Sequence, residues 1–177
     1  YGLNMLQENT QKMYDKDLIG ISLLRSLNRD INVIGRTVNR MALASSFGDD
    51  TAVQKGKDAI TKVKADLLVN YEKSKGTIIR PELKAKIDAV GGMVNDYFAQ
   101  VDAVIAALEN KGGAAAAYKI ISSKEYQDIL AKVMSDVKDI SAVKIEGAAK
   151  NMEAAAAAAD HMKWLIGVML LVAVCLL

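Results

Sequence analysis

The stretch ISLLRSLNRDINVIGRTVNRMALASS, residues 21–46, sets Leu24, Leu27, Ile31, Ile34, Val38 and Met41 three and four residues apart. That spacing is the heptad seam of a helix packed as in a coiled coil. The same stretch carries a second row, Arg25, Arg29, Arg36 and Arg40 at i, i+4, i+11 and i+15. At about 100° per residue the row collapses into a stripe roughly 60° wide that faces away from the seam. Four of the chain's five arginines stand in it. No lysine occurs between Ile21 and Ser46, and no acid lies three or four residues from any of the four, so the stripe is expected to be unpaired on its own helix. Rigid guanidinium forks match small carboxylates best, which makes this row a candidate anion-sensing face. The bland alternative, a solvated face of an amphipathic helix, stays open. Asn28, Asn32 and Asn39 flank the stripe with neutral amides. Such a face suits contact with a second copy across a two-fold axis, with an anion neutralising arginines from both chains.

Outward from that helix, the turns are read from their punctuation. The first helix is expected from about Asn4 to Ser46, where Phe47-Gly48-Asp49-Asp50 breaks it, Gly48 ending one helix and Asp50 capping the next. The second helix runs to about Lys75 and ends at Gly76, and Pro81-Glu82 opens a third that reaches about Asn110. After the turn at Gly112-Gly113, a fourth starts within Ala114–Tyr118 and meets no breaker stronger than Gly147 before Trp164. The expected fold is all-α, an antiparallel up-down-up-down four-helix bundle whose last helix continues into a truncated transmembrane helix. Residues 1–162 form the bundle domain, and 163–177 the start of a second transmembrane helix. Trp164 to Leu177 is a run of fourteen uncharged residues behind the anchors His161 and Lys163, short of the roughly 20 that span a bilayer. Tyr1 is expected to be the interfacial residue of an upstream transmembrane helix.

Composition narrows the function classes. With one Pro, 51% hydrophobic residues and a net charge of +2 from scattered lysines, the chain lacks the dense basic surface of a nucleic-acid binder. Cys175 is the only cysteine and His161 the only histidine, which leaves no metal site, no cofactor motif and no catalytic base partner. The acid pairs Asp15/Asp17 and Asp49/Asp50 sit at helix starts, where acids favour the helix dipole, so no enzyme activity is expected.

Arg36-Thr37-Val38-Asn39-Arg40-Met41-Ala42-Leu43-Ala44-Ser45-Ser46 resembles the first periplasmic helix of bacterial methyl-accepting chemotaxis receptors with four-helix-bundle sensor domains. An Arg-x3-Arg pair followed by Met and Ser-Ser matches Arg36, Arg40, Met41, Ser45 and Ser46. Tyr14-Asp15-Lys16-Asp17-Leu18 with Ile19-Gly20-Ile21-Ser22 is similar to the opening of the same domain. The third family arginine, five residues before the pair, is Ile31 here, with Arg29 two residues earlier. The resemblance implies a homodimeric sensor in the periplasm, anchored in the bacterial inner membrane and touching membrane lipid. It also implies a small di- or tricarboxylate ligand at the dimer interface and a cytoplasmic kinase reached only through a missing part of the chain. On that reading Arg29, Arg36 and Arg40 clamp the ligand, Ser122, Ser123 and Tyr126 add hydroxyls, and Arg25, Asn32 and Tyr118 lie at the margin. Two alternatives stay open: the same sensor feeding a histidine kinase or cyclic-nucleotide enzyme, and a structural coiled-coil membrane protein without ligand.

Overall fold

A computed structural model describes the backbone of residues 13–110 and 113–175, and the side chains of 16–110 and 113–169. The expected helix start at Asn4, the anchor role of Tyr1, the turn residue Gly112, the side chains of Tyr14, Asp15 and Cys175, and the far end of the apolar run lie outside the described residues. A π-helical segment, Met13–Leu18, leads into α1 (Ile19–Ser46). It is followed by α2 (Asp50–Gly76), α3 (Pro81–Leu108), α4 (Gly113–Ile121) and α5 (Lys124–Cys175). Short turns make α1, α2, α3 and the α4–α5 pair run up, down, up and down, and there is no strand among the described residues.

The heptad reading of α1 holds: Leu24, Leu27, Ile31, Ile34, Val38 and Met41 are all buried. On α3, Leu83, Ile87, Val90, Val94, Tyr97, Val101, Val104 and Leu108 repeat the alternation of four and three without a lapse, and each is buried. Val133, Val137 and Ile140 of α5 close the same core. Each such side chain adds about 1.5–3 kcal/mol when its burial is complete, so the seams supply most of the drive to fold.

At the upper end, Gly48 takes a positive φ of 72° while the amides of Phe47 and Asp49 bond Ala44 O, which closes α1. Asp49, not Asp50, caps α2, its carboxylate accepting from the Ala52 amide at 2.9 Å; Asp50 is the first residue of the helix. At the lower end, Arg80 is held extended at ψ 127° by Pro81, which starts α3. The fourth helix is not continuous as its periodicity predicts. It breaks at Ser122-Ser123, where Ser122 Oγ donates to Tyr118 O at 2.7 Å and Ser123 Oγ accepts from the Tyr126 amide at 3.2 Å. Serine hydroxyls compete for backbone partners and so end one helix and cap the next.

Below Ala148, α5 leaves the bundle: no residue from Ala149 to Met169 is buried. The stretch from there to Cys175 extends about 40 Å at 1.5 Å per residue. Among the described residues no helix is long and apolar enough to cross a membrane.

Candidate functional site

Position along α1 decides what each arginine can do. Residues opposite the buried seam must face outward, and Arg25, Arg29, Arg36 and Arg40 are all exposed. Arg25, Arg36 and Arg40 make no ion pair among the described residues. Arg29 departs from the expectation of an unpaired stripe. Its Nη2 lies 2.8 Å from Asp30 Oδ1, and the Asp30 side chain is only 6% exposed. Adjacent helix residues do not face each other, but the long arginine stem reaches around to the buried carboxylate, whose second oxygen accepts from Asn70 Nδ2 at 3.4 Å. Three guanidinium groups therefore remain on offer where the sequence suggested four.

The flanking amides are half engaged. Asn32 Nδ2 donates to Asn28 O and Asn39 Nδ2 to Gly35 O, both at 2.8 Å. These bonds spend the amide donors on the helix itself.

The hydroxyl residues divide into two groups. Tyr118 and Ser122 are exposed, and Ser123 is partly so. Gly20 stands against Lys144 and Gly35 against Leu130, an antiparallel register that, continued by two turns, sets Ser123 level with Ala42, just above Arg40. Tyr126 does not join them. It is 1% exposed, its ring lies 5.7 Å from that of Tyr97, and the two hydroxyls meet at 3.5 Å. Burial raises the pKa of both phenols, most strongly that of Tyr97. Tyr126, expected to add a hydroxyl to the ligand, is thus a core residue, because the Ser122-Ser123 break turns it inward.

A cleft of about 310 Å³ opens between α2 and α3 around Tyr71, Lys75, Asp88 and Gly92, and it contains none of the anticipated site residues. Among the described residues no group of His, Cys, Asp and Glu is placed to hold a metal.

Residues 1–159 match the family model described as a four helix bundle sensory module for signal transduction. The chain belongs to this sensory-module family. No curated protein matches the sequence. Membership accounts for the all-helical bundle and supports a sensor domain of a chemoreceptor, the family being a sensory signalling module. The match runs past Ala148, the last buried residue of α5, and so takes in the whole packed bundle.

The sequence reading missed one residue of this module. Lys144 follows Val133, Val137 and Ile140 in the inward row of α5 and is buried at 6% exposure. The signal was there, since a lysine four residues beyond Ile140 falls on the apolar face.

Proposed function

We propose that this module senses a small di- or tricarboxylate at a face formed by two copies of the chain, with Arg36 and Arg40 as the clamp. The single observation that carries the reading is the row of exposed, unpaired guanidinium groups on the outer side of α1. A helix's outer side is convex, and a small ligand needs a concave, partly desolvated site. A second α1 laid against the first supplies the opposing wall, and the ligand's negative charge offsets the repulsion between the two arginine rows. Arg25 extends the row, whereas Arg29, already paired with Asp30, has the smaller part. Tyr118, Ser122 and Asn32 border the face and would adjust selectivity; Tyr126, buried in the core, has no part in it.

The reading extends to an anchored receptor. Trp164, Leu165, Ile166, Val168 and Met169 are exposed on the free end of α5, behind Lys163. An apolar, aromatic-flanked helix end of this kind suits a bilayer, with the bundle on the periplasmic side of an inner membrane and a kinase beyond it.

Calorimetric titration with a panel of di- and tricarboxylates tests the clamp, repeated on Arg36→Ala and Arg40→Ala. Binding by the parent and its loss in both variants is the expected result. No binding of any acid, with variants as stable as the parent, would sink the reading.

A further inference from the structure

Three segments converge on one side chain at the lower end of the bundle. Lys144 Nζ donates to Lys16 O at 2.6 Å, in the π-helical segment, and to Thr77 O at 2.9 Å, in the turn between α2 and α3. Asp17 Oδ1 stands 3.8 Å from the same ammonium, and its other oxygen accepts from Asn151 Nδ2 at 3.1 Å. Arg80 lies across Gly147, where a Cβ would come 2.7 Å from its Nη2. Lys144, Gly147 and Asn151 are three and four residues apart, so one face of α5 is gripped by the Met13–Leu18 segment and by the α2–α3 turn together. Gly20 makes room for the grip, since a Cβ there would press on Thr77 Oγ1 and on Lys144 Cε.

Between this point and the Tyr97–Tyr126 pair, the inward row of α5 is Val133, Val137 and Ile140, facing the valines and isoleucines of α1 and α3. Such a seam rewards burial but hardly distinguishes one placement of a helix from the next, because one β-branched knob fits another's hole. A buried polar group does distinguish them: its hydrogen bonds exist in one placement only, and fixing register is the best-attested use of such groups.

We propose that Lys144 is a register latch, the contact that fixes where α5 sits along the bundle and hence where its free end stands. No residue of α5 from Ala149 to Met169 is buried, so this collar is the last set of contacts between the bundle and the free end of α5. A shift of α5 by one turn, about 5.4 Å, must break both carbonyl bonds of Lys144. Burial also draws the Lys144 ammonium below its usual pKa, with Asp17 opposing. The proposal stands without the anion site and does not depend on which ligand binds.

The test uses the whole chain with Cys175→Ser, spin labels on cysteines placed at the exposed positions Lys84 and Lys150, and double electron–electron resonance. A second label pair at Lys55 and Ala103, exposed on α2 and α3, reports the upper end of the bundle apart from α5. The parent is expected to give one narrow distance at each pair. Lys144→Met, which keeps the stem and removes the donors, should shift or split the lower distance by up to about 5 Å and leave the upper one unchanged. Gly20→Ala, which displaces the stem without touching its charge, should move the lower pair in the same way. Unchanged lower distances in both variants would overturn the proposal. So would loss of helix content in both, since the collar would then hold the fold itself rather than a register.

Discussion

The bundle is held in two chemically different ways at its two ends. Through its upper two thirds, α1, α3 and α5 meet by Ile31, Ile34, Val94, Val101, Val133 and their neighbours, with the Tyr97–Tyr126 pair as the polar exception. At the lower end they meet through an ammonium, two carbonyls, a carboxylate and two close-approach glycines. The apolar part supplies free energy in proportion to area and asks little of geometry. The polar part contributes little net free energy but is satisfied in one arrangement only. A sensory module that must be stable and yet pass on a small movement needs both, in separate places.

That division predicts a sharp contrast in stability. Leu27→Ala, at a fully buried seam position, should cost about 2–5 kcal/mol in urea unfolding. Lys144→Met should change stability by about 1 kcal/mol or less, because the lost bonds are offset by removing a buried charge. Equal losses in the two variants would break the comparison.

The upper end was legible because a heptad is a statement about many residues at once: six positions of α1 agreed before any contact was known. What escaped depended on single side chains. The break at Ser122-Ser123 has no Gly or Pro and lies within an unbroken helical periodicity, and only the competition of two hydroxyls for backbone partners ends the helix there. Tyr126 was misplaced by the same miss. Asp30 was overlooked because the i+1 spacing to Arg29 is no helix-surface pair, although a long guanidinium stem can bridge it. Lys144 reads as one more solvated lysine until its place in the inward row is counted. The outward direction of Arg36 and Arg40, by contrast, followed from the seam alone.

Alkaline titration sharpens the comparison further, since the Tyr97–Tyr126 pair and Lys144 carry shifts of opposite sign. Burial raises the pKa of Tyr97 and Tyr126 above the ordinary 10.0. The unfolded chain therefore loses those protons first, and the stability they protect is present below pH 10 and lost as pH climbs beyond it. Lys144 is lowered from 10.5, so below that value the unfolded chain holds the proton more tightly, and its contribution grows as pH rises toward 10.5. Tyr97→Phe should cost about 1–2 kcal/mol at neutral pH and flatten the fall above pH 10. Lys144→Met should leave that fall and remove the opposing rise just below it. Unfolding curves from pH 8 to 11, the span that brackets both ordinary values, separate the two.

A smaller effect belongs to the upper turn. Gly48 at φ 72° tolerates a side chain poorly, so Gly48→Ala should cost about 1 kcal/mol by thermal melting. Asp49→Ala should cost about the same through the lost cap on the Ala52 amide. Neither should move the lower label pair, and a shift there would mean that the ends are not independent.

The smallest effect tests the seam between α2 and α3, which neither kind of contact dominates. Lys57 meets Glu109 at 2.8 Å, Lys64 meets Asp102 at 2.6 Å and Lys75 meets Asp88 at 3.1 Å. Along α3 and its C-cap these acids stand at 88, 102 and 109, multiples of seven apart, and the skipped position is Asn95, where the cleft opens. The ladder is thus a heptad of charges with one rung absent. Its acids are exposed, so water and salt screen each pair, and Lys64→Met should cost below about 1 kcal/mol. Raising salt to about 1 M, where the screening length falls to roughly 3 Å, should abolish even that difference between variant and parent. A difference that survives the salt would mean that Lys64, whose Nζ lies 4.8 Å from the Phe98 ring centroid, holds α2 to α3 through the ring face rather than through Asp102.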